Sequence, residues 1–356
     1  MDRRAISPTM PADLPPPSMR LTLDTDALIA NWRTLDQLSG SASAGAAVKA
    51  DAYGLGARRV AALLQQAGCA DFFVAHWNEA ADLVGVIAPG RIAVLHGPLS
   101  LADAAFARDT GLIPVINSLH QARLWQEAGG GTCHVMVDTG INRLGLPLAA
   151  LGDPLVTGLQ VDLLLSHLAA ADEDSPLNPL QRDRWIEARS QVAHRRASLA
   201  NSAGIALGSS YHGDLTRPGI ALYGGVPCAA LGSHIRPVAR PEAQVIQVRD
   251  LQPGDSVGYN ATFTATVPMR VGVIGIGYAD GYLRCWSGKG KMLAGDARLP
   301  VLGRVSMDMT VIDLAAAPAV SEGDWVALDY ALPAAAAISG LSQYELLTAL
   351  GSRFPR

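Results

Sequence analysis

Short apolar runs alternate with longer amphipathic stretches from Met19 to about Ala230. A few consecutive apolar residues predict a buried strand, and apolar positions three or four residues apart predict a helix that packs on it. The predicted strands are Arg20–Leu23, Ala46–Lys49, Phe72–Ala75, Ile92–Leu95, Leu112–Ile116, His134–Asp138, Val161–Ser166 and Ala197–Asn201, and the predicted helices include Ala57–Ala67, Asn78–Val84, Leu119–Glu127 and Gln181–Arg195. This alternation indicates a parallel sheet built from strand–helix–strand units.

Two parallel architectures compete for this pattern. A doubly wound dinucleotide fold carries GxGxxG after its first strand, and the nearest matches, which start at Gly54 and Gly275, lack the third glycine. A (β/α)8 barrel places functional residues at the C-terminal ends of many strands. Polar residues at or just after predicted strand ends are Lys49, His76, His96, Asp138, His167, Asn201 and Arg217. The pattern therefore favours a TIM-like (β/α)8 barrel.

The pattern changes after about Ala230, where strand-like segments separated by turn residues replace the helical periods. The predicted strands are Ala243–Arg249, Arg270–Ile276, Leu299–Leu302, Thr310–Leu314 and Trp325–Leu328. Only the stretch near Ser342–Leu350 has a helical pattern again. We expect a disordered, proline-rich tail at residues 1–19, the barrel at 20–230, and a mostly antiparallel β domain at 231–356.

Composition and charge narrow the classes of function. A formal net charge of −4 gives no electrostatic reason to expect a nucleic-acid partner, and no apolar run reaches the roughly 20 residues of a membrane span. The four cysteines form no CxxC pair, which indicates reduced thiols rather than disulfides or a zinc site. We expect a cytoplasmic protein with no metal site.

Lys49 directly follows a buried-looking strand, where a lysine is costly unless it is paired or chemically used. Desolvation lowers the pKa of a lysine and makes it a better nucleophile, which suits a Schiff base with a carbonyl cofactor. From position alone, an ammonium group that reaches solvent is the better interpretation. His167 could likewise be a structural histidine, Arg217 could form a surface ion pair, and Tyr259 could be a core residue.

The segment AVKADAYG at residues 47–54 resembles the lysine motif of the alanine racemases, which are pyridoxal phosphate (PLP) enzymes. Further segments resemble blocks of the same family in the same order: DTGINRLG at 138–145, SHL at 166–168 followed by ADE at 171–173, NSAG at 201–204, RPGIALYG at 217–224, VGY at 257–259, GYADGY at 277–282 and GRVSMD at 303–308. One block would be weak evidence, but the ordered set is specific and covers nearly the whole chain from about residue 20.

The resemblance implies that Lys49 carries PLP as a Schiff base. Tyr53, Ser202 and the backbone amides of Gly219 and Ile220 would hold the phosphate, which agrees with phosphate sites at the late strands of a barrel.

The resemblance also places Arg217 against the pyridine nitrogen, which an arginine leaves unprotonated because it does not give up its own proton. His167 and Asn201 would lie near the cofactor, with His167 helping to orient Arg217 or Tyr259.

Racemisation removes the α-proton from one face of the substrate and returns a proton on the other, so the resemblance implies two opposed bases, Lys49 and Tyr259. A tyrosine hydroxyl keeps its proton at neutral pH unless cationic neighbours or hydrogen-bond donors favour the phenolate, and Arg143 and His167 are the candidates. The family brings the two bases together in a homodimer, in which Tyr259 would act in the partner's active site. Arg143 and the amide of Met307 would hold the substrate carboxylate.

Two positions depart from the family pattern. Many relatives have a carbamylated lysine where this chain has Met136, which leaves Asn142 or a bound anion to orient Arg143. The family often has a phosphate-binding tyrosine where this chain has Ser352, and cofactor affinity could be lower as a result.

The implied function is the interconversion of L- and D-alanine, an isomerase reaction that supplies D-alanine for peptidoglycan. The alternatives are a racemase for serine or other small amino acids, a PLP lyase such as a D-threonine aldolase or a basic amino-acid decarboxylase, and a PLP-binding regulatory protein. The predicted β domain argues against the regulatory protein, because those proteins resemble the barrel alone.

Overall fold

The computed structural model describes residues 16–351 and 353–354 and divides them into two compact units. The barrel unit consists of Thr22–Arg240 and Asp329–Gly351. The β unit consists of residues 16–21, Pro241–Leu328 and residues 353–354. Of the tail predicted at residues 1–19, residues 1–15 lie outside the described residues.

The barrel unit contains a ring of short strands in chain order, each paired in parallel with its neighbour along most of the ring. The strands are Ser43–Ala44 with Ala46–Ala47, Phe72–Val74, Ile92–Val94, Ile113–Ile116, Thr132–Asp138, Gln160–Leu165, Arg196–Ser198 and Leu215–Thr216. Leu215–Thr216 closes the ring, because it pairs with Ser43–Ala44 and flanks Arg196–Ser198, where Asp214 N donates to Ala197 O over 2.8 Å. The predicted TIM-like barrel is confirmed.

Helices of the barrel unit connect the strands, and their apolar residues cover the outside of the ring. They are Thr25–Leu38, Ala57–Ala67, Trp77–Leu83, Leu101–Thr110, Leu119–Glu127, Pro154–Thr157, Leu177–Gln191 and Ser202–Ala206. The inside of the ring is filled by a buried cluster to which most of the strands contribute, formed by Phe73, Ala93, Val115, Met136, Leu163, Leu165 and Leu215. The interior of the ring is therefore a packed core, and a ligand site is expected beyond the strand ends.

Charged side chains at the N-terminal ends of the barrel strands form a paired network. Arg196 donates to both carboxylate oxygens of Asp71, over 3.0 and 2.8 Å, and to Asp162 over 2.8 Å. Arg195 also pairs with Asp162, and the imidazole of His134 lies 3.9 Å from the same carboxylate. Burial pushes the pKa of Asp162 upward, but the hydrogen bonds from the two arginines outweigh burial and leave it lowered.

The β unit is a seven-stranded sheet. Its order is Met19–Leu23, Ala239–Leu251, Met269–Ile274, Thr310–Asp313, Ala297–Leu302, Lys291–Ala294 and Trp325–Leu328, and the last strand also pairs with Ala239–Leu251. From Ala239 onward the pairings are antiparallel. The predicted β architecture is confirmed, but the strand predicted at Arg20–Leu23 belongs to this sheet rather than to the barrel, since Met19–Leu23 pairs with Ala239–Leu251.

The segment Asp329–Gly351, predicted as part of the β domain, packs with the barrel. It forms two helices, Leu332–Ser339 and Gln343–Thr348. The Gln343 amide makes two hydrogen bonds of 2.8 Å with the backbone of Val226. Gly54 allows the chain to approach closely, because a Cβ there would lie 2.8 Å from Leu347 O. These long-range contacts, which a local sequence pattern does not encode, assign the segment to the barrel.

Candidate active site

A cavity of about 770 Å³ opens at the C-terminal ends of the barrel strands. It brings together nine of the residues that the sequence predicts for the site: Lys49, Tyr53, Arg143, His167, Asn201, Ser202, Arg217, Gly219 and Ile220. Among the described residues, no aspartate or glutamate lines it. Three cationic side chains without a lining carboxylate make this a site for anionic groups.

Lys49 is followed by an unusual stretch of backbone. Residues 50–53 have φ between 52° and 58°, which is the left-handed helical region, although none of them is glycine. Such a conformation costs roughly 1–2 kcal/mol per residue, so tertiary contacts must hold it. The Asp51 carboxylate accepts a hydrogen bond from Ala57 N over 2.7 Å on the far side of the turn. The turn replaces the end of the predicted strand and directs both Lys49 and Tyr53 towards the cavity.

The Lys49 amine is held in an environment that disfavours its charged form. Burial lowers its pKa first, the positive charge of Arg143 lowers it further, and Glu79 opposes both effects. A lysine with a lowered pKa is a nucleophile for a carbonyl carbon and a base closer to neutral pH.

One end of the cavity forms a cradle of backbone N–H groups and hydroxyls. The Ser202 hydroxyl accepts hydrogen bonds from Gly219 N over 2.9 Å and from Ala221 N over 3.3 Å. A Cβ at Gly219 would overlap the Tyr53 hydroxyl, so glycine is needed for this close approach. The Tyr53 hydroxyl has no hydrogen-bond partner in the described part of the chain, and burial raises its pKa, so it is a free neutral donor. Asn201 caps the adjacent helix by accepting from Gly204 N over 2.9 Å.

Arg217 is buried, and no carboxylate in the described part of the chain pairs with it. Its guanidinium donates to the Ser198 hydroxyl and to Ser166 O, and Ser198 in turn donates to Leu215 O. Burial lowers its pKa to about 10, which still leaves it protonated at neutral pH. Arg217 is therefore a fixed donor that cannot accept a further proton.

His167 lies in the cavity as a neutral imidazole. Burial lowers its pKa to about 3, helped by the positive charges of Arg217, Arg143 and Lys49. Its backbone carbonyl accepts from the Gln181 amide over 3.0 Å, which fixes the loop after the strand. His167 can therefore act on a tyrosine base as a hydrogen-bond donor, whereas its neutral ring adds no positive charge.

Arg143 reaches the cavity from a loop shaped by Asp138, whose carboxylate accepts from Asn142 N over 3.1 Å. The Arg143 guanidinium makes no hydrogen bond within the described residues. Met136 lies in the apolar interior of the barrel and lines the floor of the cavity. Arg143 is thus available to a ligand carboxylate.

Tyr259 and Met307 belong to the β unit and do not line this cavity. Both are exposed, at 63% and 52%. Tyr259 is followed by Asn260 and Ala261 with φ of 63° and 46°, a second strained stretch without glycine. Ser352, the position that departs from the family tyrosine, lies outside the described residues.

The sequence misses several residues around the cavity. Tyr344 and Thr348 reach it from the helix Gln343–Thr348, and Gln121 lines it as well, whereas His96 in the same lining is one of the predicted strand-end residues. Glu79 stands beside it and accepts a hydrogen bond from Ala50 N over 2.7 Å. Each residue comes from a segment distant in sequence, and only the capping position of Glu79, two residues into a predicted helix, gave a local signal.

A parallel barrel with a low-pKa lysine and an anion cradle at its strand ends defines the class of barrel enzymes that hold a phosphorylated carbonyl cofactor on a lysine. The chain matches the family models "Alanine racemase, N-terminal domain" over residues 23–227 and "Alanine racemase, C-terminal domain" over residues 238–356. The chain belongs to the alanine racemase family, whose members are PLP-dependent isomerases.

Relatives and solved structures match along nearly their whole lengths. The biosynthetic alanine racemase of Agrobacterium fabrum is 41% identical and the catabolic one 40%, with 95% of this chain and 93% and 92% of those proteins covered. The crystal structure of alanine racemase from Bartonella henselae with covalently bound pyridoxal phosphate has a TM-score of 0.88 at 36% identity, covering 96% of this chain and 99% of that one. Among the described residues, no helix combines the length and the hydrophobicity that a membrane span requires.

Proposed function

We propose that this chain interconverts L- and D-alanine with PLP on Lys49, and that Lys49 and Tyr259 transfer the protons on opposite faces of the substrate. The observation that carries the proposal is the cavity, which joins a low-pKa lysine, a hydroxyl and N–H cradle, and two arginines that have no carboxylate partner among the described residues. When bound, PLP supplies an electron sink for the pair left behind by the α-proton.

The residues of the cavity fit that cofactor. Ser202, the free Tyr53 hydroxyl and the backbone at Gly219 and Ile220 would hold its phosphate. Arg217 would donate to the ring nitrogen and leave it unprotonated, which limits how strongly the ring withdraws electrons and disfavours side reactions. Asn201 and His167 would complete the walls.

Arg143 and the backbone amide of Met307 would hold the substrate carboxylate, which orients the Cα–H bond for abstraction. Lys49 Nζ takes or returns the proton on one face, and Tyr259 Oη does so on the other. Because Tyr259 and Met307 are exposed and outside the set of lining residues, we propose a homodimer in which both act in the partner's site.

The enzyme would supply D-alanine for peptidoglycan. Identity does not separate a biosynthetic from a catabolic role, because the chain is 41% identical to a biosynthetic relative and 40% identical to a catabolic one. We also place it in the cytoplasm, which agrees with four cysteines that are all free thiols.

Deuterium incorporation into L- and D-alanine in D₂O tests the assignment of the bases. We expect Lys49→Ala to lose the visible absorbance of lysine-bound PLP together with activity. Tyr259→Phe should keep that absorbance and lose mainly exchange from L-alanine. Normal racemisation by Tyr259→Phe would place the second base elsewhere, and a wild type that binds PLP without exchanging alanine would refute the substrate.

Mixing the two inactive variants tests the shared site. A heterodimer of Lys49→Ala and Tyr259→Phe contains one site with both wild-type residues, so random exchange should restore about a quarter of wild-type activity. If each site were built from one chain, mixing would restore nothing.

A further inference from the structure

Glu79 accepts three backbone hydrogen bonds with one carboxylate. Oε2 accepts from Ala75 N over 2.7 Å and from His76 N over 3.1 Å, and these are local bonds at the start of the helix Trp77–Leu83. Oε1 accepts from Ala50 N over 2.7 Å, and Ala50 lies 29 residues earlier in the chain, directly after Lys49. One side chain therefore ties the turn that carries Lys49 to the end of the neighbouring barrel strand.

That turn needs external contacts, because L-residues disfavour the left-handed conformation of residues 50–53. The bond from Ala57 N to Asp51 holds the far end of the turn. The bond from Ala50 N to Glu79 holds the near end, next to Lys49. Without Glu79, Ala50 N loses this bond, and the nearest tie to another segment is the bond of 2.9 Å from Val48 N to Phe73 O.

Glu79 also contributes a charge. The ionisable groups that act on the Lys49 amine are Arg143, His96, His167 and Glu79. Arg143 is cationic and His167 is a neutral ring, while Glu79 is the only carboxylate of this set within the described chain.

We propose that Glu79 is a positioning residue that fixes the backbone beneath Lys49 and supplies the negative charge facing its amine. The inference rests on the proposed function, since it assigns to Glu79 the orientation and protonation of the lysine that holds PLP. Glu79 does not line the cavity, so its proposed action is through Lys49.

Asp103 provides a matched control. Its Oδ2 accepts from Leu99 N over 2.8 Å and from Ser100 N over 3.1 Å at the start of the helix Leu101–Thr110, which repeats the local bonds of Glu79 one strand later. Asp103 has no third bond to the lysine turn. Glu79→Gln, Glu79→Asp and Asp103→Asn therefore separate the local capping role from the contact with the turn.

The holoenzymes are titrated by the visible absorbance of lysine-bound PLP, and cofactor release is measured by dilution into a PLP trap. In Glu79→Gln the lysine nitrogen loses its neighbouring anion, so the midpoint should move to lower pH by on the order of one unit. Release should become roughly tenfold faster because the turn is less fixed. Glu79→Asp keeps the charge but is too short for the bond to Ala50, so it should release PLP faster with an almost unchanged midpoint. Asp103→Asn should match wild type in both.

An unshifted midpoint and an unchanged release rate in Glu79→Gln would overturn the inference, as would an equal shift in Asp103→Asn. If Glu79→Gln does not fold, Glu79→Asp decides alone through its release rate, and a wild-type rate would again overturn the inference. A wild type without the lysine-bound absorbance would instead refute the proposed function, and the inference with it.

Discussion

The two ends of the barrel carry the same kinds of ionisable side chain in opposite states of pairing. At the N-terminal end, Arg196 is shared between Asp71 and Asp162 at 2.8–3.0 Å. At the C-terminal end, Lys49 and Arg217 face the cavity, and neither has an ion pair within the described residues. The paired end contributes to the stability of the ring, whereas the unpaired end keeps its positive charge for a phosphate and a carboxylate.

The buried histidines extend the comparison. Burial lowers the pKa of His134 to about 4 at the paired end and that of His167 to about 3 at the cavity. Both imidazole rings are neutral at pH 7, and burial makes both harder to protonate in the folded chain than in the unfolded chain. Because the charged groups bind ligands at one end and pair with each other at the other, replacing an arginine should lower activity at the cavity end and stability at the paired end.

The largest effect is expected from Arg217→Met. We expect kcat/KM for alanine to fall on the order of 10³-fold, as for loss of one preorganised charged donor. The free energy of unfolding should change by less than about 2 kcal/mol, because no carboxylate is left unpaired. Racemase assays and urea unfolding measure the two quantities. A variant that keeps its activity and unfolds readily would contradict the comparison.

Arg196→Met is the counterpart at the other end. It removes the paired cation of Asp71 and leaves Asp162 with Arg195 alone, so unfolding should become easier by about 2–4 kcal/mol. Activity of the folded enzyme should stay within about threefold of wild type. A fall in kcat/KM as large as that of Arg217→Met, in protein shown by circular dichroism to be folded, would show that the two ends are coupled.

A smaller effect is expected from acid. The unfolded chain takes up a proton on His134 near pH 6.5, whereas the folded chain does so only near pH 4. Stability should therefore fall as the pH drops from about 6.5 to about 4. His134→Leu should remove about 1–3 kcal/mol of that loss, measured by urea unfolding at pH 7, 5 and 4. An identical loss in the variant would exclude His134 as a source.

Met136→Leu should have the smallest effect. The side chain packs in the apolar interior of the ring, and a swap of similar volume costs less than about 1.5 kcal/mol. We expect KM for alanine to change by less than about threefold, because Met136 offers Arg143 no strong hydrogen bond. A tenfold rise in KM, with stability retained, would instead mean that the thioether helps to place Arg143.

The sequence predicts the elements whose signal is local. The helices Ala57–Ala67 and Leu119–Glu127 occur with the predicted bounds, because their apolar spacing and flanking residues act within a few turns. The barrel residues of the site also lie in the cavity as predicted, since parallel strands put all their C-terminal ends at one mouth. The roles of individual residues stay predictions.

Tertiary structure alone decides the rest. The sequence of residues 50–53 carries no local preference for a left-handed turn, and contacts of Glu79 and Asp51 hold it there. The helix Gln343–Thr348 joins the barrel through Gln343 and the close approach of Gly54, more than a hundred residues from their partners. Patterning along the chain thus determined the barrel, the β sheet and the strand ends that carry the chemistry. Long-range hydrogen bonds determined how Lys49 is presented and which segments enclose it, because the energy that offsets a strained backbone comes from residues far away in sequence.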